Sequence, residues 1–266
     1  MRRQVRNAAC ALALAAGAVV FGASRANAEV ELNLAASSPQ DGLNGGLFYS
    51  TDLQPTGTGV LQPFVRIQAK PTEEGYNTDG VIQFDTKDNP GNWTHSITLS
   101  QVPIVTINGQ QYREFVLDIN ETKTATGRFL SMNELQVFLA NTPTLTGFDN
   151  TAAIGWAPSV ATNVYDLDSG GINGDQRVKM DYSQASGSGS GDMFVYILNS
   201  KFTGNGPYVY LYSKFGFPDT SDSGFEEWAV RPATTTAVPL PASLWGGLAL
   251  LGFLGAAKIR SRRHSA

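Results

Sequence analysis

Apolar and polar residues alternate in short runs through most of residues 47–231, and no long stretch carries the three-to-four spacing of an amphipathic helix. Period-two alternation marks a strand with one buried face. Arg177-Val178-Lys179-Met180-Asp181-Tyr182 puts Val178, Met180 and Tyr182 on one side. Residues 192–198 carry Met193, Val195 and Ile197 against Phe194, Tyr196 and Leu198, so that strand is apolar on both faces and is expected inside a sheet. Residues 208–215 place Tyr208, Tyr210 and Tyr212 on one face and Val209, Leu211 and Phe215 on the other. Residues 102–119 predict a hairpin, because Asn108-Gly109 supplies the two positive φ angles of a type I′ turn. Further strands are predicted at 60–68, 81–85, 135–139, 163–167 and 226–231. Ser131-Met132-Asn133-Glu134 has the spacing of a capping box and predicts a single helical turn.

Many short strands separated by Gly, Asn, Asp and Pro predict an all-β fold, an antiparallel β-sandwich that is jelly-roll-like, with a barrel as the alternative. The Ser-Gly run at 186–191 lies between two strong strands and reads as a loop within one domain. The expected organisation is a signal peptide at 1–28, a flexible segment at 29–46, the sandwich at 47–231, a linker at 232–237 and a C-terminal targeting segment at 238–263.

The two ends break the alternating pattern. Arg2, Arg3 and Arg6 precede an apolar run at 8–23, and Ala26-Asn27-Ala28 is a small-x-small cleavage site, with Ala26 and Ala28 as the small residues. This layout predicts a secretory signal peptide handled by the Sec translocon and signal peptidase. At the other end, Val238-Pro239-Leu240-Pro241-Ala242 leads into an apolar run at 244–257, followed by Lys258, Arg260, Arg262 and Arg263. Residues 240–259 are just long enough for one membrane-spanning helix, with the basic flank on the cytoplasmic side.

Motif, apolar run and basic cluster, in that order, resemble the PEP-CTERM class of sorting signals, in its VPLPA-CTERM variant. Leu240 stands where the commoner version has glutamate. The resemblance implies a bacterial exosortase as processing partner. It also implies a precursor held in the inner membrane and a final place at the cell surface, in the outer envelope or in a biofilm or exopolysaccharide matrix. Gly57-Thr58-Gly59-Val60 with residues 63–68, the stretch 187–194, and Gly224-Phe225-Glu226-Glu227-Trp228-Ala229 also resemble the ectodomains of other exosortase-sorted proteins, a likeness that brings no known activity.

Composition narrows the chemistry. The chain of 266 residues has a formal net charge of −4, and much of its positive charge lies in the two targeting ends. An acidic exported part does not suit nucleic acid; it suits cations and neutral glycans. The only cysteine is Cys10, in the signal segment, so the exported part has no thiol chemistry and no disulfide. His95 is its only histidine, since His264 is in the basic tail, and a histidine-rich zinc site cannot be assembled within one chain. His95 alternates with Trp93, Ile97 and Leu99 and reads as a half-buried strand residue.

Two clusters remain as candidate sites. Asp166, Asp168, Asn173 and Asp175 offer hard oxygens among glycines and could hold calcium, although the spacing fails the EF-hand pattern; the alternative is a polar turn capped by its own side chains. The row Tyr208, Tyr210 and Tyr212 has the aromatic faces of a sugar-stacking platform, and equally those of a second core layer. For glycoside hydrolysis, Asp118, Glu121, Glu134, Glu226 and Glu227 are available, but no spacing selects a facing pair, and Glu226 and Glu227 point to opposite faces. The expectation is therefore a non-enzymatic structural, adhesive or glycan-binding module with no obligatory cofactor. The alternative is a secreted carbohydrate-active hydrolase or lyase on the same scaffold.

Overall fold

β-Branched and aromatic residues on one side of each alternating segment lose water only when two sheets close over them. A computed structural model shows this arrangement. It describes residues 30–35, 43–50, 61–87, 91–168, 176–184, 191–204, 206–222 and 224–232. The signal peptide and the sorting segment lie outside them, and among the described residues no helix is long and apolar enough to cross a membrane.

The strands are β1 Val30–Asn33, β2 Gly46–Ser50, β3 Gln62–Ile67, β4 Glu73–Tyr76, β5 Ile97–Thr98, β6 Ile104–Ile107 and β7 Gln110–Asp118, then β8 Phe129–Ala140, β9 Thr162–Asp166, β10 Gln176–Asp181, β11 Met193–Leu198, β12 Tyr208–Phe215 and β13 Glu226–Val230. A seven-stranded sheet runs β1-β10-β8-β12-β4, with β5 beside β12 and β9 beside β8. A six-stranded sheet runs β2-β11-β7-β13-β3, with β6 beside β7. Pairing is antiparallel except between β1 and β10. The chain is doubled back on itself: β3 pairs with β13, β4 with β12, β7 with β11 and β8 with β10, alternately in one sheet and the other.

The core lies between the sheets. Phe64, Phe115, Val195 and Trp228 of the six-stranded sheet meet Leu130, Val137, Leu211 and Phe215 of the other, all fully buried. The Trp228 indole N–H donates to Ser213 Oγ at 2.9 Å, crossing the core from β13 to β12. A tryptophan needs such a partner when no water reaches it.

The sandwich and most of the strands agree with the sequence reading. Asn108 and Gly109 have φ of 50° and 80°, as a type I′ hairpin requires. β11, apolar on both faces, lies inside its sheet between β2 and β7.

Three local expectations are corrected. The capping-box segment is not a helical turn but part of β8; Lys214 pairs with Glu134 and Phe215 with Met132, so Asn133 is an extra residue, a β-bulge. Its side chain closes the gap, accepting from Phe217 N–H at 3.0 Å and donating to Phe217 O at 2.6 Å. Residues 81–85 form no strand, and Val81 is exposed. The strand there is β4, which its glutamates and glycine hid. Finally, 29–46 is not wholly a loose segment: β1 joins the seven-stranded sheet, and Leu32 and Leu34 are buried in the core.

Candidate functional site

The outer face of the seven-stranded sheet carries a second, smaller core. β8 and β12 direct Phe138, Tyr210 and Tyr212 outward, with Tyr76 of β4 beside them. The connection from β8 to β9, residues 141–160, is rich in Thr, Asn and Gly but holds Leu145, Phe148 and Trp156. These three can leave water only by folding back over the sheet, and they do. Phe148 stacks on Tyr212 with centroids 4.0 Å apart, and Trp156 meets Phe148 edge-on at 4.9 Å. A Cβ at Gly155 would run into the Phe148 ring, so this position must be glycine for the loop to close. Gln136 fastens the loop, donating to Ala153 O at 2.9 Å and accepting from Gly155 N–H at 3.1 Å.

Beside this aromatic patch the loop stands away from the sheet and leaves a cleft of about 600 Å³. Glu134, Gln136, Asp166, Asp168, Tyr212 and Lys214 line it from the sheet side, and Asn150 to Ile154 from the loop side. Lys214 is the cross-strand partner of Glu134, and Asp166 that of Gln136. The rim is tied by Glu74, which accepts from Asn150 Nδ2 at 2.7 Å and from the Tyr212 hydroxyl. Burial, and then the Glu74 carboxylate, push the Tyr212 phenol far up, so it remains a donor.

The residues singled out from the sequence fall as follows. Tyr210 and Tyr212 are not an open platform: they are almost fully buried, and their faces are taken by Trp156 and Phe148, while Tyr208 is half-buried beside them. The row is the second core layer, because the 141–160 loop covers it. Asp166 and Asp168 come together at the cleft, but as turn residues. Asp166 Oδ1 accepts from Asp168 N–H at 2.9 Å, and Asp168 Oδ1 from Gln176 N–H at 2.7 Å. Asn173 and Asp175 lie outside the described residues. His95 is half-buried, with Nδ1 2.9 Å from Ser96 O. Glu227 pairs with Arg66, whose guanidinium lies 3.6 Å over Trp93, while Glu226 points inward.

A second constellation joins acids that lie far apart in the chain. Glu73 opens β4, Glu226 opens β13, and Glu121 follows β7 by three residues. One carboxylate oxygen of each lies within 4.8 Å of the others. Glu73, Glu121 and Glu226 are 1, 4 and 0 % exposed. Glu73 Oε2 accepts from Ala69 N–H and Glu121 Oε2 from Asp222 N–H, both at 3.0 Å. Glu73 Oε1, Glu121 Oε1 and both oxygens of Glu226 have no hydrogen-bond partner. Burial raises all three acids, and the neighbouring carboxyls add to it for Glu121 and Glu226. Glu121 is pushed up to about 8. Two residues before Glu121, Ile119 N–H donates to Asp192 at 2.8 Å, and Asp192 is raised by burial and by Asp118.

Glu73 was missed in the sequence because Glu73-Glu74-Gly75 has no apolar face. Glu226 had a signal: it shares parity with the inward-facing Trp228 and Val230. Comparison with protein-family models, with curated proteins and with solved structures finds no match to this chain.

Proposed function

We propose that this protein is an exported, exosortase-sorted component of the cell surface or of a biofilm or exopolysaccharide matrix, and that its jelly-roll-like sandwich binds glycan in the outer-face cleft. The single observation that carries the glycan reading is the cleft itself. It combines aromatic rings, amides, carboxylates and one ammonium group, and such a mix of apolar surface and convergent hydrogen-bonding groups suits a sugar ring and its hydroxyls. Glu134, Asp166 and Asp168 outnumber Lys214, so the cleft favours neutral or amino-bearing glycans over anionic ones.

Delivery rests on the two ends of the chain. The N-terminal segment addresses the chain to Sec export, and residues 238–263 form a transient membrane helix cut near the VPLPA motif. The precursor then sits in the inner membrane with residues before Val238 outside. Mass spectrometry of the mature protein, from cells with and without the exosortase, tests this. A C-terminus near Val238 only when the enzyme is present is expected; a terminus at Ala266 in both strains contradicts it.

Electrophoresis of the purified protein through gels containing neutral, amino-bearing or uronate polysaccharides tests the glycan reading. Retardation by the first two, lost in Lys214→Ala with Asn150→Ala, is expected; unchanged mobility in every gel contradicts it. Glu134, Asp166 and Asp168 sharing one cleft also favours the second reading, a hydrolase or lyase. Release of reducing ends from a retarding polysaccharide, abolished in Glu134→Gln, would establish that reading.

A further inference from the structure

We infer that Glu73, Glu121 and Glu226 form a calcium site that ties the two sheets together at one end of the sandwich. Three acids from separate parts of the chain converge where water does not reach. Among the described residues no lysine or arginine pairs with any of them. A buried carboxylate costs several kcal/mol unless it is paired, hydrogen-bonded or bound to a metal. Here the backbone amides of Ala69 and Asp222 hold one oxygen of Glu73 and of Glu121. The other oxygen of each, with both from Glu226, is left without a partner. Ligating carboxylates are oriented in this way, one oxygen held by the scaffold and one presented to the ion.

The donor set selects the ion. All the oxygens are hard, and no sulfur or imidazole is present, which disfavours zinc. Calcium takes 6–8 oxygens in flexible geometry and tolerates carboxylates binding through one or both oxygens; magnesium gives up its water reluctantly, and this site is dry. The placement gives the ion a structural role. Glu73 belongs to the seven-stranded sheet, Glu226 to the six-stranded sheet, and Glu121 to the segment leaving β7. The neighbouring segments already interlock: Ser221 N–H donates to Pro71 O at 3.0 Å, and a Cβ at Gly224 would strike Asn120 O. This site is distinct from the cleft that Asp166 and Asp168 help to line.

The test is made on the full-length protein in mild detergent, treated with chelator and then titrated with calcium or magnesium at pH 7.5. Calorimetry should give about one calcium per chain, and Tm should rise by roughly 5–10 °C at a hundredfold excess over Kd. Magnesium should bind at least about tenfold more weakly. Glu226→Gln and Glu121→Gln should each remove the calcium response, while Asp168→Asn should retain it. No heat and no change in Tm for the wild type at millimolar calcium would overturn the assignment and leave a proton-sharing acid cluster. A response that survives both glutamine variants and disappears in Asp168→Asn would also overturn it, by moving the ion to the outer-face turn.

Discussion

Two acidic regions of this molecule look alike in composition and differ in physics. In the outer-face turn, Asp166 and Asp168 stand close in sequence, and backbone amides two and eight residues on satisfy them. In the inter-sheet cluster, Glu73, Glu121 and Glu226 are separated by strands and whole connections, and four of their six oxygens have no partner. Dense acids with intervening glycines are a cheap way to make a turn, because the side chain replaces a lost backbone bond. Sparse acids brought together by the fold have no such local outlet. A ligand is then a better explanation of the second region than of the first, although only the first resembles a metal loop in sequence.

Paired buried acids provide the largest test of this contrast. Glu114 is fully buried but held by the Arg231 guanidinium through two bonds, and that guanidinium also lies 5.1 Å over Phe194. Arg231→Ala should destabilise the fold by about 3–4 kcal/mol in denaturant unfolding, since it creates a lone buried charge. The unpartnered cluster should behave oppositely: Glu226→Gln in chelator should cost little or even stabilise.

Closure of the outer face should come next. Gly155→Ala pushes against the Phe148 ring and should cost roughly 1–3 kcal/mol by overpacking. It should weaken retardation in polysaccharide gels while leaving the calcium response unchanged. Loss of both would mean that the two regions are not independent.

The pH dependence sharpens the comparison through Asp192. Burial, then the Asp118 carboxyl, raise its pKa well above the ordinary value, while Ile119 N–H opposes this. The groups facing it are Asp118 beside it on β7 and the Tyr182 hydroxyl, whose own pKa they raise. The native chain therefore holds a proton that the unfolded chain releases. Its stabilising effect is complete below the unfolded pKa, near 4, and is lost as pH rises through the folded value. Asp192→Asn mimics the protonated form. It should match the wild type at pH 4 and exceed it by roughly 1–3 kcal/mol at pH 8. A parallel loss in both proteins would show Asp192 ionised without cost.

The smallest effect should be in the turn. Asp168→Asn keeps an acceptor for Gln176 N–H and should change stability by no more than about 0.5–1 kcal/mol. A large loss would make this acid more than a turn residue.

How much was legible follows the same division. Parity along a strand shows which residues share a face, so Val178, Val195 and Leu211 were readable as core, and Glu226 was readable as inward through Trp228. Asn108-Gly109 was readable because its conformational demand is local. The bulge at Asn133 was not, because the spacing that suggests a helix cap also occurs where β8 slips one residue against β12. The tyrosine row was half legible. Its common face followed from alternation, but the loop that covers Tyr210 and Tyr212 comes from a stretch rich in threonine, asparagine and glycine whose buried Leu145, Phe148 and Trp156 carry no period.

By itself the amino-acid sequence determined the strand character of the chain, the inward side of most strands and the layout of its two ends, since each depends on residues within a few positions of one another. Tertiary structure alone decided which strands became neighbours, what covered the outer face and which acids met. Those outcomes depend on groups some fifty to a hundred and fifty residues apart, which only the closing of two sheets brings within reach of a single ion.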